Sequence, residues 1–285
     1  MSNAIVPAQQ RLATLRSMFE KSKGAIAEIV PRHLPPEKIA RIVLSAASRT
    51  PELLNCTAQS IFLSAIQSAQ LGLEPCTPLG HAYLVPYKNK NGTMEAQFIP
   101  GYRGLITLAR NGGEVANIVS RVVYEGDTFE IEYGLNEKLV HVPMMGAGTK
   151  DRAVVAVYAV ATLKGGERQF EVMDLDQLNA IRNRNGTRNG PWATDFAEMA
   201  RKTVVRRLCK SLPLSTERNA AIVGALEAQR RSENDEPADY GELPEPLVAA
   251  AQLEDGTGSQ TASGSLKASL ANAASKVAAE ATAQG

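Results

Sequence analysis

The chain has 285 residues, enough for a sizeable core in one large domain or two small ones. Its formal net charge of +1 hides an uneven distribution: residues 232–285 hold nine acids and two bases, a net −7, so the first 231 residues carry +8. Three widely spaced cysteines (Cys56, Cys76, Cys209) with no CxxC pair argue against a disulfide framework or a zinc site, and the absence of a signal-like N-terminus or a membrane-length apolar run argues against membrane association; a reducing cytoplasm fits.

Residues 8–30 and 36–48 show helical periodicity, the second after Pro35-Pro36 with Glu37 in its first turn. Residues 57–71, TAQSIFLSAIQSAQL, read as a helix capped by Asn55 or Thr57 and ended by Gly72. Its all-round apolar character, relieved only by Gln and Ser, marks it as buried. The stretch GHAYLVPYKNKNGTMEAQFIPG then reads as a hairpin, alternating through 81–87, turning at Asn91-Gly92 and returning at Gln97–Ile99. A short helix is expected at 102–111, followed by strands at 115–124, 128–133 and 137–142. A second hairpin pairs 153–163 with 168–173 around Gly165-Gly166. Helices resume at 175–182, 192–212 and 216–230. This order predicts an α+β fold: N-terminal helices, a central mostly antiparallel sheet, and C-terminal helices. Residues 232–285 are rich in Ala, Ser, Gly and Pro, with Tyr240 the only aromatic. Such a segment buries too little apolar surface to offset chain entropy and is expected to be a disordered acidic tail, with at most a weak helix over SLKASLANAASKVAAEATA. No internal repeat is present.

The stretch DFAEMARKTVVRRLCKSLP, 195–213, concentrates positive charge. At roughly 100° per residue, Lys202, Arg206 and Lys210 form one ridge and Arg207 widens it. Val204, Val205 and Leu208 fall opposite, with Ala200 and Leu212 near them, giving a basic outer face and an apolar inner one. Asp195 is the expected N-cap, Glu198 completes a capping-box pattern, and Pro213 stops the helix. Arg201 projects toward the apolar side, with Glu198 at i−3, or an acid from elsewhere in the fold, as its expected partner. A solvated charged face is the bland reading. The absence of any acid within 201–212 favours a polyanion instead.

Catalytic signatures are missing. The sequence has no GxxxxGKS/T phosphate loop and no GxGxxG after a strand. His33, His81 and His141 have no metal-ligand spacing, and His81 and His141 read as structural or surface residues. Only the acids within 114–137 resemble raw material for a two-metal nuclease, and Glu130 with Glu132 reads rather as a hydrated strand face.

Binding residues are more plentiful. Lys88 and Lys90 sit at the first hairpin's tip, Arg103 and Arg110 on the short helix, and Arg121 in the next strand. The loop IRNRNGTRNGPW carries Arg182, Arg184 and Arg188 beside Trp192, the sole tryptophan, which either fills the core or stacks on a base. His81, Tyr83 and Tyr87 share one strand face, for packing on a helix or for a ligand. Residues 182–210 hold eight bases and two acids with no base-reading motif, a density that suits backbone binding with little sequence preference.

Four segments, LGLEPCTPLGHAYLVPYKNK (71–90), QFIPGYRGLITLARNGG (97–113), ANIVSRVVYEGDTFEIEYG (116–134) and PWATDFAEMARKTVVRRLCKSLPLS (191–215), together resemble the RecT family of phage single-strand annealing proteins. The resemblance covers roughly residues 10–230. It implies ATP-independent binding of single-stranded DNA, annealing of complementary strands through an annealed duplex intermediate, and strand invasion. It also implies homo-oligomers in rings or helical filaments, a β-β-β-α core, and action with a phage exonuclease and the host single-strand-binding protein. Its basic motif positions fall on Arg103, Arg110, Arg121, Arg201, Lys202, Arg206 and Arg207. On this reading residues 1–231 are the annealing domain, with 1–50 a helical oligomerisation region. No catalytic centre and no cofactor are expected, with Mg²⁺ at most modulating DNA binding. The alternatives are a protein that coats duplex DNA and a metal-dependent nuclease.

Overall fold

The computed structural model describes residues 8–89, 92–146, 152–184, 191–212, 216–233, 236, 238–240 and 243–251. Helices α1 (Ala8–Lys21), α2 (Lys23–Ile29), α3 (Pro36–Arg49), α4 (Pro51–Leu54) and α5 (Ala58–Gln70) come first. Strands β1 (Ala82–Lys88) and β2 (Met94–Pro100), helix α6 (Tyr102–Asn111), and strands β3 (Val115–Tyr124), β4 (Thr128–Glu132), β5 (Lys138–Val142), β6 (Val154–Leu163) and β7 (Arg168–Asp174) follow. Helices α7 (Leu175–Arg184), α8 (Pro191–Thr194), α9 (Phe196–Ser211), α10 (Thr216–Glu233) and α11 (Glu245–Ala251) complete the series. The α+β expectation holds.

Two compact units share these elements: Met1–Pro78, Ala82–Ile99 and Asn234–Gly285 form the first, and Leu79–His81 with Pro100–Glu233 the second. Residues 1–231 are thus distributed over both units.

In the first unit α5 is the hub. Ile61, Phe62, Leu63, Ala65 and Ile66 are buried around it, as its composition predicts. Ser60, Ser64 and Ser68 recur every fourth residue, are buried, and have partners. Ser60 Oγ accepts from Ala96 N at 2.9 Å, Ser64 Oγ donates to Ala96 O at 2.9 Å, and Ser68 Oγ donates to Leu73 O at 2.9 Å. Such bonds remove the penalty of burying a hydroxyl and fasten α5 to β2. Thr57, not Asn55, caps α5, accepting from Ser60 N. The single helix expected over 8–30 is interrupted at Ser22, although backbone bonds continue across it from Ser22 N to Met18 O and from Ile26 N to Ser22 O. In the first hairpin Asn89 N bonds Thr93 O, and Gly92 takes φ +84°, which favours glycine.

The expected disorder from residue 232 does not hold for 245–251. Those residues form α11, with Leu247, Ala250 and Ala251 buried against helices of the first unit. Asp239 O accepts from Gln67 Nε2 at 2.9 Å, and the Tyr240 hydroxyl bonds Ser64, so the segment entering α11 is also docked. Averaging composition over 54 residues conceals the short apolar run PLVAAA. Residues 252–285 lie outside the described residues.

In the second unit β3, β6 and β7 form an antiparallel sheet in the order β3-β6-β7, and α9 crosses all three strands. Three antiparallel strands followed by a helix match the expected β-β-β-α core. Alternation assigns Ile118, Val122, Val157, Ala159, Ala161 and Met173 to the face under α9. The opposite face carries Val123, Ala156 and Val172, covered by Phe129 and Leu139 from the β4–β5 hairpin together with Tyr158 and Phe170. Phe129 stacks on Tyr158 and Tyr133 on Phe170, each at 5.8 Å.

A buried polar chain holds that hairpin. Asp127 is ion-paired with Arg152 and lies 3.1 Å from His141 Nε2. His141 Nδ1 is 3.2 Å from the Tyr158 hydroxyl. Met144 N and Tyr124 N also donate to Asp127. His141 is therefore structural, one of the two readings the sequence left for it.

Candidate nucleic-acid interface

Helix α9 follows the expected amphipathic plan. Ala200, Val204, Val205 and Leu208 are buried, and Leu212 is 6% exposed. Its start differs. The helix expected over 192–212 breaks at Asp195, separating α8 from α9. Asp195 occupies the N-cap position, but its carboxylate accepts from Thr194 Oγ1 at 2.6 Å and not from a helix N–H. The capping box does not form, because Glu198 turns to Arg201 at 2.8 Å and to the Tyr102 hydroxyl at 3.2 Å. Arg201 thus has the partner its spacing predicts, and Tyr102 ties α6 to α9. Leu212 is extended, as the residue before proline tends to be.

The basic ridge is less free than its spacing suggests. Lys210 is exposed, whereas Lys202 and Arg206 are half-buried and each engages a partner. Arg207 is exposed, yet its Nε pairs with Glu171 on β7 at 2.8 Å and its Nη1 donates to Gln177 on α7 at 3.3 Å. No sequence spacing signals the Arg207–Glu171 pair, since it joins a helix to a strand far away in the chain.

Helix α6 packs on α9, α10 and β3. Leu105, Leu108 and Ala109 face inward, and Arg103 and Arg110 are exposed. Arg121 is also exposed, but alternation puts it with Val123 on the sheet face away from α9. Arg168, which the sequence does not single out, is exposed at the far end of that same face. Arg182 on α7 is half-buried.

Trp192 is 7% exposed and packs against Phe196 at 5.6 Å, so it fills the core and is removed from the candidates for base stacking. In the first unit Lys88 is exposed at the end of β1, and Tyr83 is 47% exposed on the outward face of that strand. His81 lies outside the strand and belongs to the second unit. Lys90 and Arg188, and the Arg184 side chain, lie outside the described residues. The candidates therefore make no single ridge. Arg103, Arg110, Arg207 and Lys210 are exposed on the neighbouring helices α6 and α9, and Arg121 stands on the opposite side of the sheet.

The acids of 114–137 do not converge. Glu130 and Glu132 are exposed on the outer face of the hairpin, and Asp127 is held by Arg152 and His141. Among the described residues no cluster of three His, Cys, Asp or Glu has the geometry to hold a metal ion, and no helix is long and apolar enough to cross a membrane.

The family model described as RecT family matches residues 37–239, a span that begins at the second residue of α3 and contains every element from α4 to α10. The chain belongs to the RecT family. Its sequence is 46% identical over 204 residues to Protein RecT of Escherichia coli strain K12, covering 70% of this chain and 75% of that protein. It is 26% identical over 248 residues to the uncharacterized protein YqaK of Bacillus subtilis strain 168, covering 84% of this chain and 81% of the relative. RecT membership makes this a DNA-binding protein of recombination, and the exposed bases of α6 and α9 lie inside the matched span.

Proposed function

We propose that the protein binds single-stranded DNA and anneals complementary strands without ATP, acting as a homo-oligomer in phage recombination in the bacterial cytoplasm. The observation that carries this reading is the RecT family match over 37–239, which contains both basic helices. An annealer must neutralise phosphates, keep strands extended and leave base edges free. Arginine and lysine side chains on α6 and α9, with no base-reading element beside them, suit the first requirement and impose no sequence. Counterion release then drives binding and makes it salt-sensitive. Pairing and stacking in the new duplex supply the driving force, so no nucleotide-hydrolysing site and no catalytic centre are needed. No cofactor is required; Mg²⁺ modulates DNA binding by screening phosphates. The host single-strand-binding protein and a phage exonuclease are the partners that would present the strands. Ring and helical filament are the two oligomer forms this mechanism admits.

Titrating a fluorescent single strand and its duplex with the full chain at several salt concentrations tests the reading. Tighter binding to the single strand, weakening steadily with salt, is expected. Preference for duplex would point to a coating protein, and loss of DNA mass in Mg²⁺ to a nuclease.

A further inference from the structure

Helix α9 covers one face of the β3-β6-β7 sheet, whereas the β4–β5 hairpin covers only part of the other, packing Phe129 and Leu139 on Val123, Ala156 and Val172. In the strand register, Val119, Val160 and Phe170 stand side by side across the three strands of that second face, beyond the hairpin's cluster, and all three are half-buried. Arg121 lies one step to one side of this row on β3, and Arg168 one step to the other side on β7. Two arginines thus occupy opposite corners around an apolar row. With strands about 4.8 Å apart and about 3.4 Å per residue along each, their Cα atoms are about 17 Å apart.

Both arginines are exposed, and neither side chain makes a hydrogen bond or ion pair among the described residues. The acid on this face, Asp174, sits at the hairpin's end of β7, where its carboxylate accepts from Gln177 N at 2.7 Å. Glu130 and Glu132 point to the hairpin's other face. Two unpaired guanidinium groups with no carboxylate between them are complementary to an anion that carries charge at intervals, which a nucleic-acid backbone does.

At the β7 end of the row stands an aromatic surface. Tyr133, which follows β4, lies on Phe170 with ring centroids 5.8 Å apart and planes 26° from parallel. Tyr133 is 65% exposed, so one ring face rests on Phe170 and the ring remains open to solvent. The acids nearest it are Glu171, which Arg207 neutralises at 2.8 Å, and Glu137. A ring fixed by a stack beneath it and set two residues along β7 from an arginine has the two parts of a single-strand platform, a flat surface for a base and a cation for its phosphate.

We infer that the sheet face away from α9 is a second single-stranded DNA site, in which a base stacks on Tyr133, Arg168 and Arg121 hold phosphates, and the row Val119, Val160 and Phe170 forms the floor. Paired duplex has no base face to offer Tyr133, so the site takes unpaired strand. The arrangement also explains why Arg121 stands apart from the bases of α6 and α9: it serves the other face. A chain that holds one strand on α9 and another on the back of the same sheet raises the local concentration of the second strand for pairing. The inference rests on the single-strand binding proposed above and adds a surface to it.

The test titrates the full chain with a short thymine oligonucleotide, which cannot pair with itself, and with an abasic oligonucleotide of the same length, reading stoichiometry, affinity and salt slope. Wild type is expected to bind two thymine oligonucleotides per chain. Arg121→Glu with Arg168→Glu is expected to bind one, and Arg121→Lys with Arg168→Lys to keep both. Tyr133→Ala is expected to weaken the second thymine oligonucleotide about fivefold or more, to leave its salt slope unchanged and to abolish the preference for thymine over abasic strand. Thermal unfolding checks that each variant folds, and Arg121→Gln with Arg168→Gln replaces the charge reversal if that chain does not. A wild-type chain that binds one oligonucleotide, or a folded arginine variant that still binds two, would overturn the second site. Unaltered thymine affinity in Tyr133→Ala would overturn the stacking. A wild-type chain that binds no single strand would refute the annealing reading itself, and the second site with it, before any substitution is made.

Discussion

Arg152 grips Asp127 at the root of the β4–β5 hairpin. The Arg152 guanidinium bonds the Asp127 carboxylate through Nη2 and the Glu125 carbonyl through Nε, the latter at 2.7 Å. The Asp127 side chain is 1% exposed and that of Arg152 13%. The two residues flank the hairpin in sequence, so their pair closes the insertion between β3 and β6 where it enters and leaves the sheet.

Arg152→Ala removes the guanidinium from Asp127 but leaves the Tyr124 and Met144 amides and His141 on the carboxylate, so it is expected to cost about 1.5–3 kcal/mol of stability, the range of a hydrogen bond to a charged group. Chemical unfolding of the purified protein measures it. A loss below about 1 kcal/mol, the range of surface pairs, would show that the pair is solvated in solution.

Protonation should act on the same pair. Burial pushes the Asp127 carboxyl up, but Arg152, the Met144 and Tyr124 amides and His141 outweigh it and hold the group well below the usual carboxylate range. A depressed folded pKa means that the native state binds fewer protons. Its stabilisation is fully present above the unfolded value of about 3.9 and is lost as pH falls below it. Wild-type protein should lose stability from about pH 4 downward, and Asp127→Asn should show a shallower acid slope. Parallel slopes in unfolding curves taken across pH 7 to pH 3 would contradict the assignment.

Gly104 on α6 has no room for a side chain. A Cβ there would lie 2.1 Å from the His81 carbonyl oxygen, which also accepts from Gly101 N at 2.9 Å. Backbone cannot yield as a flexible side chain can, so Gly104→Ala should destabilise by about 1–3 kcal/mol or more. Gly165 has open space around it and serves as the control: Gly165→Ala should leave the melting temperature nearly unchanged. Equal melting temperatures for the two variants would refute the close approach.

The bases of α9 should separate by burial. Lys210→Ala removes an exposed charge and is expected to weaken single-strand binding, with no change in stability. The salt slope should fall by about 0.7 for each phosphate the side chain neutralises in the wild type. Arg206→Ala removes a half-buried, partnered side chain and should lower melting temperature as well as affinity. Unchanged affinity and slope in both would remove α9 from the DNA surface.

Much of the second unit was legible because its signals are local. Helix α6 and strand β3 fall on the residues that periodicity predicts, and Gly166 supplies the turn between β6 and β7 with φ +88°. The inner face of α9 was readable for the same reason. Long-range facts were not readable. Periodicity places Arg207 on an outer ridge, and only the fold brings Glu171 beside it. Spacing cannot show that Trp192 meets Phe196 in the core, nor that Arg121 faces away from α9. Helix α11 was missed because seven residues of apolar pattern sit within an acidic, low-aromatic segment.

The central claim is annealing, and the most direct measurement follows two complementary fluorescent oligonucleotides pairing in the presence of the full chain, without ATP, at two salt concentrations. The account predicts pairing faster than in buffer alone, with the acceleration shrinking at higher salt and the DNA remaining intact. Tight binding that leaves the pairing rate unchanged or slows it would contradict the account.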